Sequence, residues 1–212
     1  WILRHYKLNN MNFRDSVDYS PRCPEGKVRI TFVGDSFTAG HGIKDVEQRF
    51  ANLVRHQDPG LEVQVLAGNG MDTGHQLDML KDLQGIELEY VVLVYCLNDL
   101  SDIIPEYQQV LERIYEKHTP GYLAYNSYFL NTLYYRWIAF ADPDIKNFYQ
   151  FTLDAYQNQI WDQQKKRLTE LRDLVHARGA ELLVVTFPFI HSLGSDYSYA
   201  AVHQQLDGVV VG

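Results

Sequence analysis

Cysteine is scarce in this chain: Cys23 and Cys96 are the only two, too few for a disulfide framework or a zinc cluster. Cys23 stands in an irregular stretch and Cys96 in an apolar one. Both therefore read as free thiols, one in a loop and one packed in the core, and neither reports the compartment. Basic residues are short as well, 19 against 27 acidic ones, for a net charge of −8. No lysine-arginine run or stripe supplies the concentrated positive surface that a nucleic-acid backbone needs, so nucleic acid is set aside as a partner. No segment reaches the roughly 18 consecutive apolar residues of a membrane span. The chain opens at Trp1 without an initiator methionine, which leaves room for an upstream signal or anchor. Clustered ligands at metal spacing are missing too, and neither a metal nor a cofactor is expected.

What is present is enough for one domain with a full core: 212 residues, 46% of them hydrophobic, with no shift in composition to mark a second domain. The stretch that organises the chain runs from Val28 to Gly42. The apolar run from Val28 to Val33 reads as a buried strand. It leads into Gly34-Asp35-Ser36-Phe37-Thr38-Ala39-Gly40-His41-Gly42, a glycine-rich turn that lifts Ser36 into the open. Gly34 permits backbone conformations closed to residues with a Cβ, while Gly40 and Gly42 allow close approach of another segment. The Walker loop requires Gly-Lys-Ser/Thr at the helix start and a dinucleotide site requires three glycines at its own spacing; neither occurs. The Gly-x-Ser-x-Gly elbow fails because Thr38 stands at its second glycine. Ser36 remains as a candidate nucleophile.

Two further constellations follow predicted strands. A helix is expected from Val46 to Gln57, closed by Pro59-Gly60, and then a strand from Leu61 to Leu66. That strand ends in Ala67-Gly68-Asn69-Gly70-Met71-Asp72-Thr73, ahead of a helix from Gly74 to Leu83. By themselves these residues read equally as a turn with an Asx cap on the helix. The continuous run from Tyr90 to Tyr95 is expected as a parallel strand covered on both faces. It ends in Cys96-Leu97-Asn98-Asp99, where Asn-Asp is also a common turn. A helix from Asp162 to Arg178 and a fourth strand from Glu181 to Phe187 complete an alternating β-α order. The expected fold is α/β, a doubly wound, flavodoxin-like parallel sheet flanked by helices.

The three constellations, taken in order, resemble the conserved blocks of the SGNH, or GDSL-type, hydrolases: esterases, lipases, deacetylases and some acyltransferases. Gly34-Asp35-Ser36 matches the nucleophile block and Gly70 the glycine of the second block, with Gly68 as the alternative register. Asn98-Asp99 matches the third block, although Cys96 stands in place of its glycine. The resemblance implies Ser36 as nucleophile, and Gly70 and Asn98 as oxyanion-hole donors. Asp35 would be a structural support of the turn. It implies an ester substrate, a small molecule or an acylated glycan, cleaved through an acyl-enzyme without a cofactor. Transfer to a sugar hydroxyl would use the same residues, and a non-catalytic binding module is the competing class. An Asn followed by Phe13-Arg14-Asp15 in the irregular lead-in, residues 1–27, resembles the approach to the serine block in envelope-associated members. The likeness favours an extracytoplasmic location without fixing one.

Between the third and fourth strands lies a long helical insertion or cap, residues 100–163, dense in tyrosine, phenylalanine and tryptophan. Most of these rings are expected as core contacts, the alternative being a lid whose exposed rings stack on sugars or line an acyl pocket. At the far end the family's Asp-x-x-His block is missing. Asp196 lies seven residues before His203, and Gly208-Val209-Val210-Val211 reads as a fifth strand beginning as the sequence stops at Gly212. The expected general base is a histidine beyond Gly212. His191 at a strand end is the substitute within the chain, with His41 and His75 also near the blocks.

Overall fold

The computed structural model describes residues 6–109, 112, 120–189, 193–194 and 196–210. Four parallel strands form one sheet in the order β2-β1-β3-β4: β1 Val28–Gly34, β2 Leu61–Ala67, β3 Tyr90–Cys96 and β4 Glu181–Phe187. All four fall where the apolar runs place them. In register, Phe32 sits between Val65 and Val92, and Val33 between Leu66 and Leu93. Alternation along each strand thus sends one set of side chains to either face. Both faces of β1, β2 and β3 are largely buried, which is why these strands carry apolar residues at successive positions, whereas on β4 Leu183, Val185 and Phe187 leave one face exposed.

One face gathers Phe32, Val63, Val65, Val92 and Val94 against Ala39 and Ala51. Ala51 belongs to α1, Phe50–Gln57, whose Phe50 meets Phe32 edge to face with ring centroids 5.5 Å apart. The expected helix from Val46 to Gln57 is broken. A 3-10 turn over Val46–Gln48 is separated from α1 by Arg49, which holds an extended conformation at φ −69° and ψ 140°. The helical spacing of Val46, Phe50, Leu53 and Val54 runs across that break, and the Arg49 side chain there is buried on Asn52, Asp15 and the Arg14 carbonyl. Two further helices are α2, Thr73–Asp82, and α6, Gln159–Ala177, from which Leu168, Leu171 and Val175 are buried. The expected fifth strand is not formed: Gly208 to Val210 continue the helix α7, Ala200–Val210. A short valine run after a glycine fits either state, and here Val202 and Leu206, one helical turn apart and both buried, settle it.

The chain divides into two compact units, residues 1–99 with 163–212, and residues 100–162. Within the second, α3 Tyr122–Asn126, α4 Tyr128–Ala141 and α5 Pro143–Ala155 follow one another. Ser127 caps α4 by accepting from the Leu130 N–H. The expectation that most aromatic rings here are core contacts does not hold for the described ones. Tyr122, Tyr125, Tyr128, Phe129, Trp137 and Phe140 are exposed, Tyr128 by 92%. Tyr156 and Trp161 are buried, their rings 5.1 Å apart. Apolar residues lie all around α4, so no single face is able to bury them all. No described helix is long and apolar enough to cross a membrane.

Candidate active site

The serine turn begins where β1 ends. A Cβ on Gly34 would lie 2.2 Å from Thr38 Oγ1 and 3.0 Å from the Val94 carbonyl. Close packing against Thr38 is therefore what requires glycine there, rather than the special backbone conformation expected from the sequence. Left-handed φ is found instead at Gly40 and Gly42, at +74° and +91°. From Asp35 the chain makes a helical turn, with the Ala39 N–H donating to the Asp35 carbonyl at 2.9 Å and the His41 N–H to that of Ser36 at 2.8 Å. Asp35 Oδ1 accepts the Phe37 N–H at 2.8 Å, tying the turn from within. Ser36 is half-buried at the mouth of this turn and Phe37 beside it is half-exposed.

The second turn leaves β2 at the same level, since Gly34 pairs with Ala67 in the sheet. Gly70 takes φ +72° with open space around it, and Gly68 packs under Met71. Asp72 then caps α2, accepting the His75 N–H at 3.2 Å and lying 2.9 Å from His75 Nδ1. The third turn closes on β3 through the Asp99 N–H, which donates to the Cys96 carbonyl at 2.9 Å, and Asn98 is half-buried on it. The second and third turns are joined directly. The Thr73 N–H donates to the Asp99 carbonyl at 2.8 Å, and Gln76 Nε2 donates to Asp99 Oδ2 at 3.1 Å and to the Met71 carbonyl at 2.8 Å.

Under these turns lie two buried carboxyls. Burial pushes Asp99 well above the usual carboxylate range, and the nearby Asp35 charge adds to this against hydrogen bonds from Gln76 and the Cys96 N–H. Asp35 is raised by burial, against the N–H groups of Phe37 and Thr38. Cys96 is buried, and its thiol is pushed up by burial and then by the Asp35 and Asp99 charges. It is held as a neutral thiol, a packing group rather than a nucleophile.

The histidines divide by position. His41 is exposed on the serine turn, and His75 is exposed with its Nδ1 against Asp72. His203, on α7, has Nδ1 3.1 Å from Thr186 Oγ1 and Nε2 2.9 Å from the Tyr197 hydroxyl, an arrangement that pins α7 to β4. His191 lies outside the described residues. The pairing of Asp72 with His75 was readable in the sequence as an Asp-x-x-His spacing, but in the middle of the chain. Among the described residues no group of three or more His, Cys, Asp or Glu is placed to hold a metal.

The class these features define is an open parallel α/β sheet with three turns gathered at its carboxyl edge. No family model and no curated protein matches the chain. Among solved structures it is similar to that of TesA, at 17% identity and a TM-score of 0.44 over 85% of this chain and 75% of that one. It is also similar to phospholipase A1 from Streptomyces albidoflavus NA297, at 12% identity and a TM-score of 0.45 over 86% and 73% of the two chains. The lipase Lip_vut3 from a goat rumen metagenome aligns over 88% of this chain and 99% of its own, at 17% identity and a TM-score of 0.29.

Proposed function

We propose that this chain is an SGNH-type serine hydrolase that cleaves carboxylic esters through an acyl-enzyme on Ser36. The observation that carries the reading is the strand order. In a 2-1-3-4 sheet the connections leave in opposite directions on either side of the β1/β3 boundary, and ligands of such sheets bind in the crevice at that boundary, beyond the carboxyl ends of the strands. Ser36 follows β1 and Asn98 follows β3, so nucleophile and donor flank that crevice, with Gly70 on the adjoining turn.

The chemistry is acyl transfer. Ser36 Oγ attacks the ester carbonyl carbon as its proton passes to a histidine. The N–H groups of Ser36 and Gly70 and the Asn98 side-chain amide stabilise the oxyanion. Collapse expels the alcohol, which takes the proton, and water releases the acid from Ser36. The family resemblance implies a histidine of a C-terminal Asp-x-x-His pair as the base. Asp72 and His75 supply a second reading, because Asp72 already orients that imidazole.

The test is hydrolysis of p-nitrophenyl acetate by the full gene product and by the 212-residue chain. Ser36→Ala is expected to abolish turnover, and Asn98→Ala to lower it about 100- to 1,000-fold. His75→Ala is expected to leave it intact if the base lies beyond Gly212 and to remove it if His75 serves. Turnover that survives Ser36→Ala, or is untouched by Asn98→Ala, overturns the assignment.

A further inference from the structure

From Tyr6 onward the lead-in before β1 folds against the turns that follow the strands. The backbone of Leu8 bridges that of Arg14 in antiparallel fashion. The bridge is closed by a turn in which Asn9 Oδ1 accepts the N–H groups of Met11 and Phe13, each at 3.0 Å, and Asn12 takes φ +62°. This small hairpin folds Tyr6 back over Arg14, whose guanidinium carbon lies 4.6 Å from the ring centre.

Arg14 is 2% exposed. Its Nη1 donates to the carbonyls of Ala39 at 3.2 Å and Gly40 at 2.5 Å, and its Nη2 to that of Ile43 at 2.5 Å. Those are the carbonyls at the far end of the helical turn that begins at Asp35, the end where a cation is favoured. A Cβ on Gly40 would come within 3.2 Å of Arg14 Nη1 and of Arg49 Cδ, so the turn is moulded around these two side chains. Arg49 in turn donates to the Arg14 carbonyl at 2.9 Å, and the next residue, Asp15, is fully buried between Arg49 and Arg55. At the other end the Tyr6 hydroxyl donates to Asn69 Oδ1 at 3.1 Å. Asn69 is the residue between Gly68 and Gly70.

We propose that Tyr6 and Arg14 are positioning residues: a strap from the lead-in that holds the nucleophile turn and the Gly70 turn at one separation, and thereby sets the oxyanion hole. The inference rests on the hydrolase reading, in which two N–H groups from different turns must meet one oxygen. Such constellations work only when held to about 0.5 Å. The sheet fixes the inner ends of the two turns, and the strap links their outer parts.

Tyr6→Phe removes the bond to Asn69 and keeps the ring over Arg14; Arg14→Lys keeps the charge but not the fork that reaches three carbonyls. In the full gene product, Tyr6→Phe is expected to lower kcat on p-nitrophenyl acetate about 10-fold with KM and Tm unmoved, the size expected of a sub-ångström misplacement. Amide hydrogen exchange supplies a readout independent of turnover. Tyr6→Phe should speed exchange at residues 69–72, and Arg14→Lys at both 39–43 and 69–72. Unchanged exchange at 69–72 in both variants, or an unchanged kcat for Tyr6→Phe in an enzyme whose wild type is Ser36-dependent, overturns the strap. Absence of Ser36-dependent turnover in the wild type sinks the hydrolase reading instead, and the exchange data still decide whether the strap couples the turns.

Discussion

Gly34 shows how one residue type answers to different demands. Its lack of a Cβ makes room for Thr38, which folds back on the end of β1 and sets where the serine turn starts. Gly34→Ala is expected to destabilise the protein by about 1–3 kcal/mol through overpacking, read from chemical denaturation. Adding Thr38→Ala should recover only part of that, because the Thr38 Cβ also lies within 2.9 Å of the new methyl position. Glycine was legible at this position, whereas its partner was not. The contact spans a turn whose path depends on Arg14 and Arg49, far away in sequence.

At the scale of elements, α2 is the part that joins two of the three turns. Asp72 caps its first turn, and Gln76, fully buried one turn further along, bonds to both Met71 and Asp99. Gln76→Met fills similar space but strands the Met71 carbonyl and weakens the hold on Asp99. A loss of about 1–3 kcal/mol is expected for leaving such a buried acceptor unpaired. Asp72→Ala, which removes the cap, should cost about 1 kcal/mol. Both are measurable as shifts in the denaturation midpoint. The helix itself was predicted to within a residue at each end, as Gly74 to Leu83 against Thr73–Asp82. The link from its second turn to Asp99 was not, since nothing in local periodicity tells which buried glutamine faces which loop.

For the molecule as a whole, buried charge sets a pH window. Burial pushes Asp15 up, but hydrogen bonds from Arg55 and Tyr19, and the charges of Arg55 and Arg49, outweigh it and hold the carboxyl at about 2. An aspartate held below its unfolded value adds stability at higher pH. The contribution is lost as pH falls from about 4 through 2 and amounts to about 2 kcal/mol. Asp99 and Asp35 act in the opposite direction. Their folded values are raised, so the native state binds more protons than the unfolded one as pH rises out of the carboxylate range, and stability falls. Tm measured against pH should therefore pass through a maximum on the acid side of neutral. Asp15→Asn should flatten the acid limb and Asp99→Asn the alkaline one. An alkaline limb unchanged by Asp99→Asn would mean that its carboxyl is ionised in the folded protein.

By itself the sequence determined the four strands, their parallel α/β arrangement and the three turns that carry Ser36, Gly70 and Asn98. Those features come from local signals, apolar runs punctuated by glycine and asparagine, that are complete within a few residues. Tertiary structure alone decided the helix at Gly208 to Val210, the exposure of the rings on α4, the break at Arg49 and the path from Ser36 through Arg14 and Tyr6 to Asn69. Each depends on what lies against a segment from elsewhere in the chain. A valine run is strand or helix according to the surface it packs on, and a buried arginine reads as a surface charge until three carbonyls close around it.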